Sequence, residues 1–360
     1  MIEYENLGKL NQPFFDEYRD KFEKILASGW YILGNAVAAF EKEYADYTAS
    51  KHCIGVASGL DALSLSLRCL DLPADSEVIV PSNTYIATIL SIVQNGFVPV
   101  LVEPDIRTYN IDPEKIEEKI TPRTRAIMVV HLYGKCCGMD RISAIAQQHG
   151  LYVIEDCAQS QGAKFKGKLA GSFGHFGAHS FYPTKNLGAL GDAGAITTDS
   201  AGFDERLRAL RNYGSKVKYI NDYVGVNSRL DEMQAGLLSV KLAHLDKINS
   251  HKRELASIYS ASLKEDFIKP VVDEDYFDVY HIYNIRHPKR DDLRAYLLNK
   301  GIKTEIHYPV APNKQKAMQG ILEGSYPISE EIHATTLSLP ISYYHSQDDV
   351  LQVIEALNSF

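Results

Sequence analysis

The chain has 360 residues, 45% hydrophobic and 23% charged, which places it with soluble globular proteins that bury one large core or two domains. A net charge of −8 argues against a duplex nucleic-acid binder, which needs a basic stripe, yet leaves room for a basic pocket that takes a small anion. No apolar run is long enough to span a bilayer, the acidic start Met1–Asn6 carries no apolar leader, and the five cysteines are odd in number and lack metal-ligand spacing. The expectation is a cytoplasmic protein with reduced thiols, no metal, no membrane and no nucleic-acid partner.

In chain order, strands are expected at 54–57, 77–81, 98–102, 125–130, 151–155, 176–181 and 193–198, with helices at 60–70, 86–94 and 142–149. Near-continuous apolar strands separated by helices imply a mostly parallel sheet covered on both faces. Ligands of such sheets bind beyond the carboxyl ends of the strands, where Ser58 and Asp156 fall. From 229 to 262 the pattern becomes long and helical, with Leu230, Met233, Leu237, Val240, Leu242 and Leu245 near helical spacing. A tail from about 265 alternates short strands (283–286) with helices (290–300). The expected division is a large domain at 1–245 and a small α+β domain at 246–360.

Three segments carry chemistry. Leu151-Tyr152-Val153-Ile154-Glu155-Asp156 is a buried strand ending in an acid. About thirty residues later His179-Ser180-Phe181-Tyr182-Pro183-Thr184-Lys185-Asn186 puts a lysine in a polar turn after another strand. This pairing suits pyridoxal phosphate (PLP): the lysine holds the aldehyde as a Schiff base, and the acid keeps the pyridine nitrogen protonated. Lys185 must lose its proton to act as a nucleophile, so its pKa has to fall through desolvation or nearby positive charge. Ser58-Gly59-Leu60 joins a strand to a helix, with Ser58 as N-cap and Gly59 admitting a close ligand, a suitable phosphate seat. Ser180 lies within reach of the same phosphate, Gln159 of the ring, and Tyr85 is placed to stack on it.

Together these motifs resemble the sugar-nucleotide aminotransferases of PLP fold type I, the DegT family, from about Leu33-Gly34 to Ser338-Leu339-Pro340. The residues that carry the resemblance are Ser58-Gly59 with Asp61-Ala62-Leu63, Glu155 to Gln159, Ser180 to Gly188, Gly225 to Arg229, Asp231 and Gln234-Ala235. The resemblance implies an aspartate aminotransferase-like fold in which glutamate donates an amino group to PLP, giving pyridoxamine phosphate (PMP), and a nucleotide-linked keto-sugar accepts it. It implies Lys185 as cofactor lysine and proton shuttle, Asp156 on the ring nitrogen, Gln159 beside the ring, and Ser180 on the phosphate. It also implies Asn227 reaching the cofactor phosphate of a neighbouring subunit, so a homodimer with shared sites. Lys218 and Tyr219 are expected near the substrate diphosphate, and Tyr182 and His307 at the sugar. Leu60 stands where the family often has a hydroxyl residue, and Asp192 where it usually has Glu; relatives with histidine in place of Lys185 dehydrate instead.

Glu305-Ile306-His307-Tyr308-Pro309 and His131-Leu132-Tyr133-Gly134 look like members that aminate C3. The resemblance therefore implies a dTDP-linked 3-keto-6-deoxyhexose as acceptor, with a galacto- or gluco-configured amino sugar as product, destined for glycans such as S-layers or O-antigens. A C4 aminotransferase and a PLP-binding regulatory protein without turnover stay open as alternatives.

Overall fold

The computed structural model describes residues 1–360. Its centre is a seven-stranded sheet. In chain order the strands are β1 (His52–Val56), β2 (Glu77–Pro81), β3 (Val98–Val102), β4 (Thr124–Val130), β5 (Tyr152–Asp156), β6 (Phe176–Ser180) and β7 (Gly194–Thr198). Their spatial order is β1-β7-β6-β5-β4-β2-β3. All neighbours pair in parallel except β7, which runs antiparallel to both β1 and β6. β1 therefore points the same way as β5 and β6, and the carboxyl ends of the three share one edge. Registers make this concrete: Val56 and Ser180 both pair with Gly194, and Asp156 pairs with Ala178.

The interior strands are apolar along almost their whole length because both faces are covered. Ile54, Val56, Val78, Val80, Met128, Ile154, Phe176 and Ile196 belong to one core, and Ile79, Ile127, Val129 and Val153 to the core on the opposite face. A third core draws on Leu255, Tyr259, Leu293, Leu297, Val353 and Leu357, with Ile2 as its one contribution from the chain's start. It covers the hairpin-like pair β8 (Tyr283–Arg286) and β9 (Thr336–Leu339).

The expected strand bounds agree with the observed ones to within two residues. Two differences are physical. The helical stretch at 229–262 is not continuous: α1 (Glu232–Leu242) stops and α2 (Leu245–Ser262) restarts, with Ala243 and His244 between them. The apolar period survives the break because Leu242 and Leu245 pack into the same core. The helices Phe15–Ser28 and Asn35–Thr48 had no counterpart in the sequence reading. No helix is long and apolar enough to cross a membrane.

Candidate active site

The shared carboxyl edge brings together Ser58-Gly59 after β1, Asp156 at the end of β5, and Ser180 to Lys185 after β6. Ser58 caps the helix Gly59–Cys69: its Oγ accepts from the Asp61 amide at 3.1 Å and its carbonyl from the Ala62 amide at 3.0 Å. The amides of Gly59 and Leu60 remain for an anion, on the positive end of the helix. A Cβ on Gly59 would lie 2.5 Å from the Ser180 Cβ, and one on Gly194 2.4 Å from the Ser58 carbonyl. Glycine at both places lets the Ser58 turn and the Ser180 strand end meet as a cradle. Leu60 is half-buried, so its missing hydroxyl leaves the backbone donor in place.

Asp156 is buried, and its carboxylate accepts from Thr88 Oγ1 at 2.8 Å and the Ala158 amide at 3.1 Å. Thr88 is held in turn by Thr84 Oγ1 at 2.7 Å. Desolvation pushes the Asp156 pKa up, opposed by these bonds and by Lys185. Gln159 is fixed at both ends of its carboxamide: it accepts from the Tyr133 amide at 2.6 Å and donates to the Tyr308 hydroxyl at 2.9 Å. Tyr308 also faces Tyr85, ring centroids 5.0 Å apart, and Tyr85 itself is half exposed at the start of the helix Ile86–Gln94.

Lys185 closes a turn in which its amide donates to the Tyr182 carbonyl at 2.8 Å, with Pro183 between them. Gly188 folds back onto that turn; a Cβ there would sit 2.3 Å from the Pro183 carbonyl oxygen. The lysine is partly exposed by surface area, but its amine end lies deep among protein atoms, and desolvation lowers its pKa to about 8. Asp156 pulls in the other direction. The amine lies 3.4 Å from Nε2 of His281, a residue the sequence reading had not singled out.

His307 is held through Nδ1 by Ser338 Oγ at 2.9 Å, next to the rings of Tyr4 and Tyr308. Burial, reinforced by Lys185, lowers its pKa to about 4. Its carbonyl accepts from the Tyr133 hydroxyl. Tyr182 is half exposed. His131 makes its contacts inside the protein core. It is fully buried, with Nε2 2.9 Å from Glu155 and Nδ1 accepting from the Cys137 amide at 3.0 Å. Glu155 also accepts from the amides of Gly171, Phe173 and Gly174 at 2.7–2.8 Å. His131, Glu155 and Cys157 lie close enough together to hold a metal, but both imidazole nitrogens are already engaged by the protein.

Three expected residues stand apart. Asn227 is exposed, paired by a bridge to Asn212. Lys218 and Tyr219 form the tip of the small ribbon Ser215–Asn221, where Tyr219 is 86% exposed and the lysine lies over its ring.

An anion cradle, a buried acid and a desolvated lysine share one sheet edge and could hold a phosphorylated aldehyde cofactor. The chain belongs to the DegT/DnrJ/EryC1/StrS aminotransferase family, whose profile matches residues 15–358. It is 53% identical, over all of this chain and 99% of the relative, to a dTDP-3-amino-3,6-dideoxy-alpha-D-galactopyranose transaminase of Aneurinibacillus thermoaerophilus. It superposes on DesV of S. venezuelae with a TM-score of 0.97 at 42% identity, covering 99% of this chain and 98% of that one. NtdA of Bacillus subtilis, solved with bound PMP, gives a TM-score of 0.92 at 30% identity, covering 98% of this chain and 83% of that one. The fold is that of the PLP-dependent aminotransferases, and the chain is a sugar aminotransferase.

Proposed function

We propose that the chain transfers an amino group from L-glutamate to the C3 keto group of a dTDP-3-keto-6-deoxyhexose, with PLP and PMP as the alternating cofactor forms. The observation that carries the reading is the convergence of the Gly59–Ser180 cradle, Asp156 and Lys185 on one sheet edge. The match to a C3 transaminase along the whole chain supports the substrate.

When bound, the cofactor supplies an electron sink that lets the α-proton of the amino donor leave. The chain supplies the rest. Free amides at Gly59 and Leu60, with Ser58 and Ser180, hold the phosphate. Asp156, costly to bury alone, is offset by a protonated ring nitrogen, and Thr88 aims it. Gln159, locked by Tyr133 and Tyr308, would lie beside the ring, and Tyr85, packed on Tyr308, would flank it. Lys185, with its pKa lowered to about 8, has a share of neutral amine at neutral pH and would take the proton from the donor's α-carbon and return one at C3 of the sugar. His307 and Tyr182 face the sugar.

Asn227, Lys218 and Tyr219 enter as residues of a homodimer: Asn227 reaches the other subunit's cofactor phosphate, and the 215–221 ribbon lies over the substrate diphosphate. Their exposure in the single chain supports this.

The test is the first half-reaction. Glutamate added to the PLP-loaded protein should bleach the visible band of the lysine-bound cofactor, and K185A should show no such band. A wild-type protein that folds but never develops the band would overturn the reading.

A further inference from the structure

The contact between Lys185 and His281 is built by the fold, and three elements converge to make it. Asn186, next to Lys185, donates through Nδ2 to the Val279 carbonyl at 2.9 Å and to Asn249 Oδ1 at 2.8 Å. The buried Lys252 of α2 donates to Asn186 Oδ1 at 3.0 Å and to the carbonyl of His281 itself at 3.1 Å. From the other side Gly134 presses on the same segment. The Val279 amide donates to its carbonyl at 2.9 Å, and a Cβ on Gly134, whose φ is +100°, would lie 2.8 Å from the amides of Tyr280 and His281. The lysine turn, α2 and the 131–135 loop thus fix both ends of the Lys185–His281 pair.

Burial first, and then the neighbouring Lys185, Lys252 and His307, hold the His281 imidazole neutral. A neutral imidazole has one donor and one acceptor nitrogen. With Nε2 turned to the amine as acceptor, Nδ1 carries the hydrogen and finds no partner within the chain.

We propose that His281 is a positioning residue: its Nε2 holds an N–H of Lys185 and aims the amine lone pair at the cofactor aldehyde. The inference rests on Lys185 as the cofactor lysine. Capture joins Nζ to the aldehyde carbon and releases the aldehyde oxygen as water with the two N–H protons of the neutral amine. Orientation of that lone pair sets the rate of bond formation, whereas phosphate and ring contacts set affinity.

Apo wild type, H281F and H281Q separate the two. Each is mixed with PLP to follow growth of the visible band, and with PMP, which forms no bond to Lys185, to measure affinity. H281F should capture PLP slower by about tenfold or more while binding PMP as wild type does. H281Q, which offers an amide oxygen at similar reach, should recover most of the rate. Unchanged capture by H281F, or parallel loss of PMP affinity and capture in both variants, would overturn the proposal. Should H281F not fold, the side-chain ¹⁵N resonances of His281 in apo wild type and K185A give the answer. A shift at Nε2 on losing the lysine supports the contact, and its absence refutes it. Failure of wild type to develop the band would instead remove the reading of Lys185.

Discussion

Lys185 combines two opposing influences in one side chain: desolvation brings its pKa to about 8, and Asp156 raises it. The sign of the pH effect follows. Below about 8 the amine is mostly protonated, so capture of PLP by the apo chain should rise about tenfold per pH unit up to there and level off above it. Stopped-flow absorbance checks this; a flat rate between pH 6 and 8 would contradict it. In D156N the apo lysine should titrate lower still, because the charge that raises it is gone. Transfer should also fall on the order of 10²-fold or more, because the ring nitrogen loses its anionic partner. Differential labelling of Lys185 against pH and steady-state rates measure the two effects. Lys185, Asp156 and Ser58-Gly59 were legible in the sequence because each sits in a strand–turn context that itself signals a ligand. His281 and Thr88 were not, and Tyr308 stood out only as part of the 305–309 motif, not as the partner of Gln159. His281 meets Lys185 across 96 residues and Tyr308 meets Gln159 across 149, so no local pattern marks either.

At the level of elements, the strands read most faithfully. Buried parallel strands such as Glu77–Pro81 and Val98–Val102 are continuous apolar runs between turns, a signal that needs no partner to be recognised. The helix Phe15–Ser28 escaped because it buries little more than Tyr18 and Ile25 and keeps Phe22 and Leu26 exposed. The 131–134 segment teaches a different lesson. Its resemblance to members that aminate C3 includes both His131, which is engaged with Glu155 in the core, and Tyr133, which reaches Gln159 and His307. Removing the Glu155 charge in E155Q should therefore cost about 3 kcal/mol of stability by leaving buried donors poorly matched. Urea denaturation measures this; an unchanged midpoint with altered sugar choice would contradict it. G134A should also be destabilising, by about 1–3 kcal/mol, since it adds a side chain at positive φ against the 280–281 backbone.

For the molecule as a whole, the outward residues matter. Trp30, Tyr31, Ile32, Tyr219 and Val224 are large apolar side chains that the single chain leaves exposed. A homodimer with shared sites predicts complementation. K185A and N227D should each be poorly active alone. Mixed after denaturation and refolding, they should regain about a quarter of wild-type activity, because half the dimers are mixed and each has one intact site. No recovery, with mixed dimers shown to form, would mean that Asn227 serves its own subunit. The expectation that a partner contributes rests on resemblance alone, since an exposed asparagine carries no signal of what covers it.

The central claim is amination at C3. The PMP-loaded protein should be given a dTDP-3-keto-6-deoxyhexose and, separately, its 4-keto isomer, and the product's amine located by two-dimensional NMR. The account predicts return of the visible band with the 3-keto sugar alone and an amine proton network centred on C3. Return of the band only with the 4-keto isomer, and an amine on C4, would contradict it.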